Sequence, residues 1–180
     1  MMFRIPLFLL AVGTLCLAAP SASLDHVARN AVQKGATWGG PGGSPFDDST
    51  SLGPNPRLTS ITLRGANRLD AISFTLASGK TFHHGGWGGS PRTLTLGRNE
   101  IIVYAKLCEE EKSEAANFTN RSVRIHYALV TTNTGRTISV GRTTRFCREF
   151  RAPAGKGVVG GHGRSAKEVD RLGFVYAPKV

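Results

Sequence analysis

A chain of 180 residues with 40% hydrophobic residues, 22 glycines and a formal net charge of +11 has enough apolar material for one cored domain. Its basic residues are scattered, and aromatics are not interleaved with them, which sets aside a nucleic-acid partner. No apolar run reaches the ~20 residues a membrane-spanning helix needs, so no such span is expected.

The chain opens with Arg4, an apolar run from Ile5 to Ala19, and small residues from Ala18 to Ser23. Residues 1–23 therefore read as a secretory signal peptide cleaved near 18–23, predicting a secreted, extracellular protein. Residues 24–34 read as a leader able to form a turn or two of helix, and residues 35–180 as the domain. Cys16 would leave with the signal, so Cys108 and Cys147 remain to form a disulfide in an oxidising compartment. Closing a loop of about 40 residues would stabilise the fold by ~4 kcal/mol in the chain-entropy account.

From Gly35 onward the apolar pattern has a period of two. Ile61 and Leu63 alternate with Thr62 and Arg64. Ile72, Phe74 and Leu76 alternate with Ser73 and Thr75, and Leu94 and Leu96 with Thr93 and Thr95. Val123, Ile125, Tyr127 and Leu129 alternate with Arg124 and His126, which predicts that those four share one face. Turn residues separate the runs at Asn55-Pro56, Ser78-Gly79, Gly97-Arg98-Asn99, Thr134-Gly135 and Ala154-Gly155. The prediction is an all-β domain of many short strands with one wet face each. The acidic run from Glu109 to Ala116 is placed in a long hairpin loop, which continues into two N-glycosylation sequons at Asn117 and Asn120.

Several motifs carry no chemistry here. Gly155-Lys156-Gly157-Val158-Val159-Gly160 spells a dinucleotide fingerprint but leads into no helix, and Gly79-Lys80-Thr81 lacks the first glycine of a phosphate loop. His83 and His84 are adjacent, so on a strand they point to opposite faces and cannot jointly chelate a metal. Glu109, Glu110, Glu111 and Glu114 have nothing apolar around them to raise a pKa for glycosidase chemistry. No catalytic residue, metal or cofactor is expected, and the chain reads as a non-enzyme.

Two internal echoes remain. Gly39-Gly40-Pro41-Gly42-Gly43-Ser44-Pro45 is matched by Gly85-Gly86-Trp87-Gly88-Gly89-Ser90-Pro91, and Arg68-Leu69-Asp70-Ala71-Ile72-Ser73-Phe74 by Glu168-Val169-Asp170-Arg171-Leu172-Gly173-Phe174. Glycine loops leave backbone N–H groups open to a ligand, and a carboxylate at the start of a strand accepts hydrogen bonds. Asp70 and Asp170 could cap their own turns. They could also bind neighbouring sugar hydroxyls, with backbone N–H groups donating to the same hydroxyls.

These residues resemble the jacalin-related lectins over most of the chain. The resemblance includes Trp38-Gly39-Gly40-Pro41-Gly42-Gly43, Leu69-Asp70-Ala71-Ile72-Ser73-Phe74, His84-Gly85-Gly86-Trp87-Gly88-Gly89, Thr132-Asn133-Thr134-Gly135-Arg136 and Gly161-His162-Gly163-Arg164-Ser165, continuing into Val169-Asp170-Arg171-Leu172-Gly173. It implies a β-prism of three four-stranded Greek-key sheets with pseudo-threefold symmetry. It also implies metal-independent binding of mannose- or glucose-type mono- or oligosaccharides. By that resemblance the primary site joins Gly43 to Lys167, Glu168 and Asp170. A second joins Gly89 to Asn67, Arg68 and Asp70. Ala66 and Ala166 stand where the family signature has glycine. A homo-oligomer is compatible with such a lectin. The alternative reading is a β-prism that has lost neutral-sugar binding and holds acidic polysaccharide or an anionic surface through its basic face.

Overall fold

The computed structural model describes residues 32–109 and 123–179. The signal and most of the leader, the two sequons and most of the acidic run lie outside the described residues. Twelve strands follow in chain order: β1 (Gln33–Gly39), β2 (Ser44–Asp47), β3 (Leu58–Gly65), β4 (Leu69–Leu76), β5 (Thr81–Gly85), β6 (Ser90–Thr95), β7 (Ile102–Glu109), β8 (Ile125–Thr132), β9 (Thr137–Gly141), β10 (Cys147–Arg151), β11 (Lys156–Ser165) and β12 (Val169–Pro178). A short 3-10 turn at Asp48–Ser51 follows β2. Strand β1 starts two residues before the predicted boundary at Gly35, so Gln33 and Lys34 belong to the sheet rather than to the leader.

The strands form three antiparallel sheets of four, ordered β1-β12-β11-β2, β5-β4-β3-β6 and β10-β7-β8-β9. The second and third sheets are each built from four consecutive strands. The first is closed by both ends of the chain, yet it repeats the same order when β11 and β12 are read before β1 and β2. The expected β-prism is thus the observed fold. Its core lies between the three inner faces, where Ile61, Leu63, Ile72, Phe74, Ile102, Leu107, Ile125, Val130, Leu172 and Phe174 are fully buried. Cys108 and Cys147 face each other across β7 and β10 and are joined as a disulfide.

One periodicity reading fails, for a reason that matters to function. Val123 and Ile125 are buried as predicted, but further along β8 it is Ala128 and Val130 that enter the core; Tyr127 and Leu129 are only half-buried. A β-bulge changes the phase. Tyr127 pairs with Cys108 and Ile125 with Glu109, leaving His126 as an extra residue. The same bulge occurs in the other two sheets. In β4, Ala71 pairs with Arg64 and Leu69 with Gly65, leaving Asp70; in β12, Arg171 pairs with Arg164 and Val169 with Ser165, leaving Asp170. Before each bulge an apolar residue (Leu69, Ile125 or Val169) is fully buried and anchors the start of the strand.

Candidate functional site

The bulges place Asp70, His126 and Asp170 at equivalent positions, each beneath a loop from its own sheet. Each bulged carbonyl accepts a hydrogen bond from that loop: Gly40 N to Asp170 O at 2.9 Å, Gly86 N to Asp70 O at 3.0 Å, and Arg142 N to His126 O at 3.1 Å. The preceding residues, Gly39, Gly85 and Gly141, have φ of 112°, 109° and 85°. A Cβ at any of them would overlap the same bulged carbonyl, so glycine is required three times over.

At the first position the loop turns back onto the carboxylate. Gly43 has φ of 62°, and a Cβ there would lie 2.6 Å from Asp170 Oδ2. No described residue makes a hydrogen bond to the Asp170 carboxylate, although the residue is only 7% exposed. Burial raises its pKa, and Glu168 adds to the rise, against the opposing pull of Arg124 and Arg164. The turn from Ser165 to Val169 is closed by Ala166 N donating to Glu168 O at 2.9 Å. The amide N–H groups of Gly43, Lys167 and Glu168 have no acceptor among the described residues. The Asp170 carboxylate thus packs against Gly43 and follows the turn that carries Lys167 and Glu168, and neither it nor these three amides has a hydrogen-bond partner among the described residues. That set matches vicinal hydroxyls, each of which can donate to the carboxylate and accept from an amide. Neither Ala66 nor Ala166 has positive φ, so alanine fits both turns without backbone strain.

Of the four residues expected at a primary site, Gly43 lies against Asp170, and Lys167 and Glu168 lie on the turn that leads into it. The Glu168 carboxylate lies between Arg68 Nη2 at 2.6 Å and Arg124 Nη1 at 2.7 Å, so Glu168 reaches the site only through its backbone. Lys167 is exposed, and its carbonyl packs against Gly86 of the neighbouring loop.

At the second position Gly89 repeats the geometry, with φ of 61° and a Cβ position 2.8 Å from Asp70 Oδ2. Asn67 is exposed on the turn. Arg68 changes the chemistry: its Nε lies 3.2 Å from Asp70 Oδ1 while its Nη2 holds Glu168, so it spans the two candidate sites and neutralises Asp70. Trp87, on the tip of this loop, is 77% exposed and stacks on His83 with ring centroids 4.4 Å apart. At the third position His126 replaces the aspartate, with Nδ1 3.0 Å from Arg142 O, and Arg145 takes the place of Gly43 and Gly89 in the loop. Only two of the three positions therefore carry the carboxylate.

The ion-pair bridge and the exposed Trp87 were not anticipated from sequence. The echo itself held a signal for the first, since Arg68 and Glu168 are opposite charges at matching positions. The histidines take structural roles: His84 Nε2 lies 2.8 Å from Asp48 Oδ1, and His83 Nδ1 lies 2.8 Å from Ser73 Oγ. Buried Asp48 also accepts from Gly161 N at 2.8 Å, fastening the 3-10 turn to β11. Among the described residues no group of three His, Cys, Asp or Glu side chains is placed to hold a metal ion.

Comparison with known proteins agrees with this geometry. The Jacalin-like lectin domain model matches residues 36–175. Secreted RxLR effector protein 19 of Plasmopara viticola is 25% identical over 164 residues, which cover 86% of either chain. Among solved structures, a mannose-binding jacalin-related lectin from Ananas comosus superposes with a TM-score of 0.66 at 25% identity, covering 82% of this chain and 98% of that one. Wild-type Malaysian banana lectin gives the same score at 26% identity, covering 82% and 99%. With that family model spanning most of the chain, and bulge, loop and strand order repeated in all three sheets, the chain belongs to the jacalin-like lectin domain family.

Proposed function

We propose that the protein is a secreted, non-enzymatic carbohydrate-binding protein that holds a mannose- or glucose-type sugar at Asp170 without a metal. The open Asp170 carboxylate beside the free N–H groups of Gly43, Lys167 and Glu168 carries this reading. The mannose-binding lectin of Ananas comosus, similar over most of its length, supports the choice of sugar class. A glycan array at moderate salt, with and without a chelator, tests it. The expected result is a chelator-insensitive signal on mannose- or glucose-terminated glycans. A signal confined to sulfated or uronic glycans and fading with salt would overturn it.

Two further outcomes follow. The carboxylate must be ionised to accept from two hydroxyls, and its pKa is raised above the ordinary 3.8. Sugar affinity should therefore fall on acidification while the pH is still above the usual aspartate range, as read by titrations across the acid range. In stability the sign is opposite: the folded state favours the protonated group, so this contribution is present at low pH and is lost as pH rises. The second outcome concerns Arg68. Removing it frees Asp70, so Arg68→Ala should raise the sugar stoichiometry by calorimetry from one per chain to two. An unchanged stoichiometry would show that Arg68 is not what closes the second site.

A further inference from the structure

The outer face of the first sheet carries two arginines that the fold does not require in that number. Arg164 on β11 and Arg171 on β12 are directly paired across the strands. Both reach up to the first glycine loop. Arg164 Nε donates to Gly42 O at 2.9 Å and its Nη2 to Gly43 O at 2.6 Å, while Arg171 Nε donates to Gly39 O at 3.3 Å. No carboxylate among the described residues lies within ion-pair distance of either guanidinium. Like charges facing each other across a ladder are unfavourable unless something negative lies between or over them.

The pseudo-symmetry supplies an internal comparison. In the second sheet Arg64 matches Arg164, and its Nη1 donates to Trp87 O at 3.2 Å and Gly89 O at 2.8 Å. Its cross-strand partner there is Ala71, not arginine. In the third sheet the matching pair is Cys108 and Tyr127. One arginine suffices to hold a glycine loop, so the second, Arg171, is surplus to the scaffold.

The two arginines line two adjoining depressions. One is an open groove along the sheet face, walled by Thr37, Pro45, Phe46 and His162. The other runs under Pro41, Gly42 and Gly43, the loop that packs on Asp170. The carboxylate facing the groove, Asp47, is already committed, to Lys34 Nζ at 2.8 Å and to Ser49 N at 3.0 Å.

We infer that the Arg164–Arg171 groove takes an oxyanion substituent, a sulfate ester or a uronate carboxylate, on the glycan whose neighbouring sugar sits at Asp170. The favoured ligand is then an acidic oligosaccharide, read at two adjacent points: hydroxyls at the bulged aspartate and a negative group at the paired guanidiniums. Planar guanidiniums with N–H groups left over from the loop carbonyls suit such an oxyanion. This inference rests on the sugar-binding reading of Asp170.

Calorimetric titration separates the two claims. The probes are an α-linked mannobiose, the same disaccharide bearing one sulfate ester, and the same disaccharide with one residue oxidised to a uronate. Each is titrated into the full chain, Arg171→Ala and Asp170→Ala. Alanine already occupies the matching place in the second sheet, so Arg171→Ala should fold, and a thermal melt checks this. The wild-type protein should bind the sulfated or the uronate probe roughly tenfold tighter than the neutral one, and the two arms tell which oxyanion is preferred. Arg171→Ala should abolish that preference and leave neutral binding unchanged. Equal affinity for all three probes, or a preference that survives Arg171→Ala, would overturn the inference. If acidic binding survives Asp170→Ala but is lost in Arg171→Ala, the groove stands and the sugar site falls. No binding of any probe to a folded wild-type chain overturns both.

Discussion

Asp170→Ala should abolish neutral-sugar binding and leave the fold standing. The carboxylate accepts no hydrogen bond from the described residues, so its removal breaks no hydrogen bond among them and leaves no buried donor unpaired. Burial and Glu168 raise its pKa, which means the folded protein carries the ionised group at a disadvantage. Removing it should therefore leave the melting temperature unchanged or slightly higher. Binding is another matter, because two charge-assisted hydrogen bonds to sugar hydroxyls are lost together. At about 1.5–3 kcal/mol each, their loss should weaken binding by about a hundredfold or more. Asp170→Asn keeps the shape but replaces one acceptor oxygen with a donor, and should be nearly as damaging. A large fall in melting temperature in either variant would mean that the carboxylate holds its own turn together.

The largest stability effect is expected at Gly39→Ala. The added Cβ would overlap the Asp170 carbonyl, which accepts the Gly40 N–H that ties loop to bulge. With φ at 112°, the backbone also lies where an alanine is strained. Strain and overlap together should cost about 3–4 kcal/mol, or about 10 °C in melting temperature for a domain of this size. Gly155→Ala is the matched control. Its φ is 73°, but nothing lies within 4 Å of the added Cβ, so only about 1 kcal/mol should be lost. Equal losses in the two variants would show that loop–bulge contact contributes nothing beyond backbone strain.

Much of this was legible in the sequence. The period-two runs and their turns led to strands, and the paired cysteines to the disulfide. The duplicated glycine loop and aspartate pointed to equivalent structures on a repeating scaffold. What escaped was whatever depends on a bulge or on contacts between repeats. A bulge adds one residue and reverses the faces of everything after it, so Tyr127 and Leu129 looked like core while Ala128 and Val130 formed it. The third repeat was hard to see because His126 and Arg145 replace the residues that mark the other two. The bridge that Arg68 makes from Asp70 on its own turn to Glu168 depends on side chains from two turns that meet only once the sheets pack together. The absence of strain at Ala66 and Ala166 likewise needed the backbone angles rather than the residue names.

The central claim is that one sugar is held by the Asp170 carboxylate and the amides around it. The most direct test is to titrate methyl α-mannoside into isotope-labelled protein in the presence of a chelator and follow the backbone amide resonances. The account predicts saturable shifts concentrated at Gly43, Lys167, Glu168 and Asp170, with the Asp70 turn unmoved while Arg68 is present. Shifts centred elsewhere, or none at saturating sugar, would contradict it.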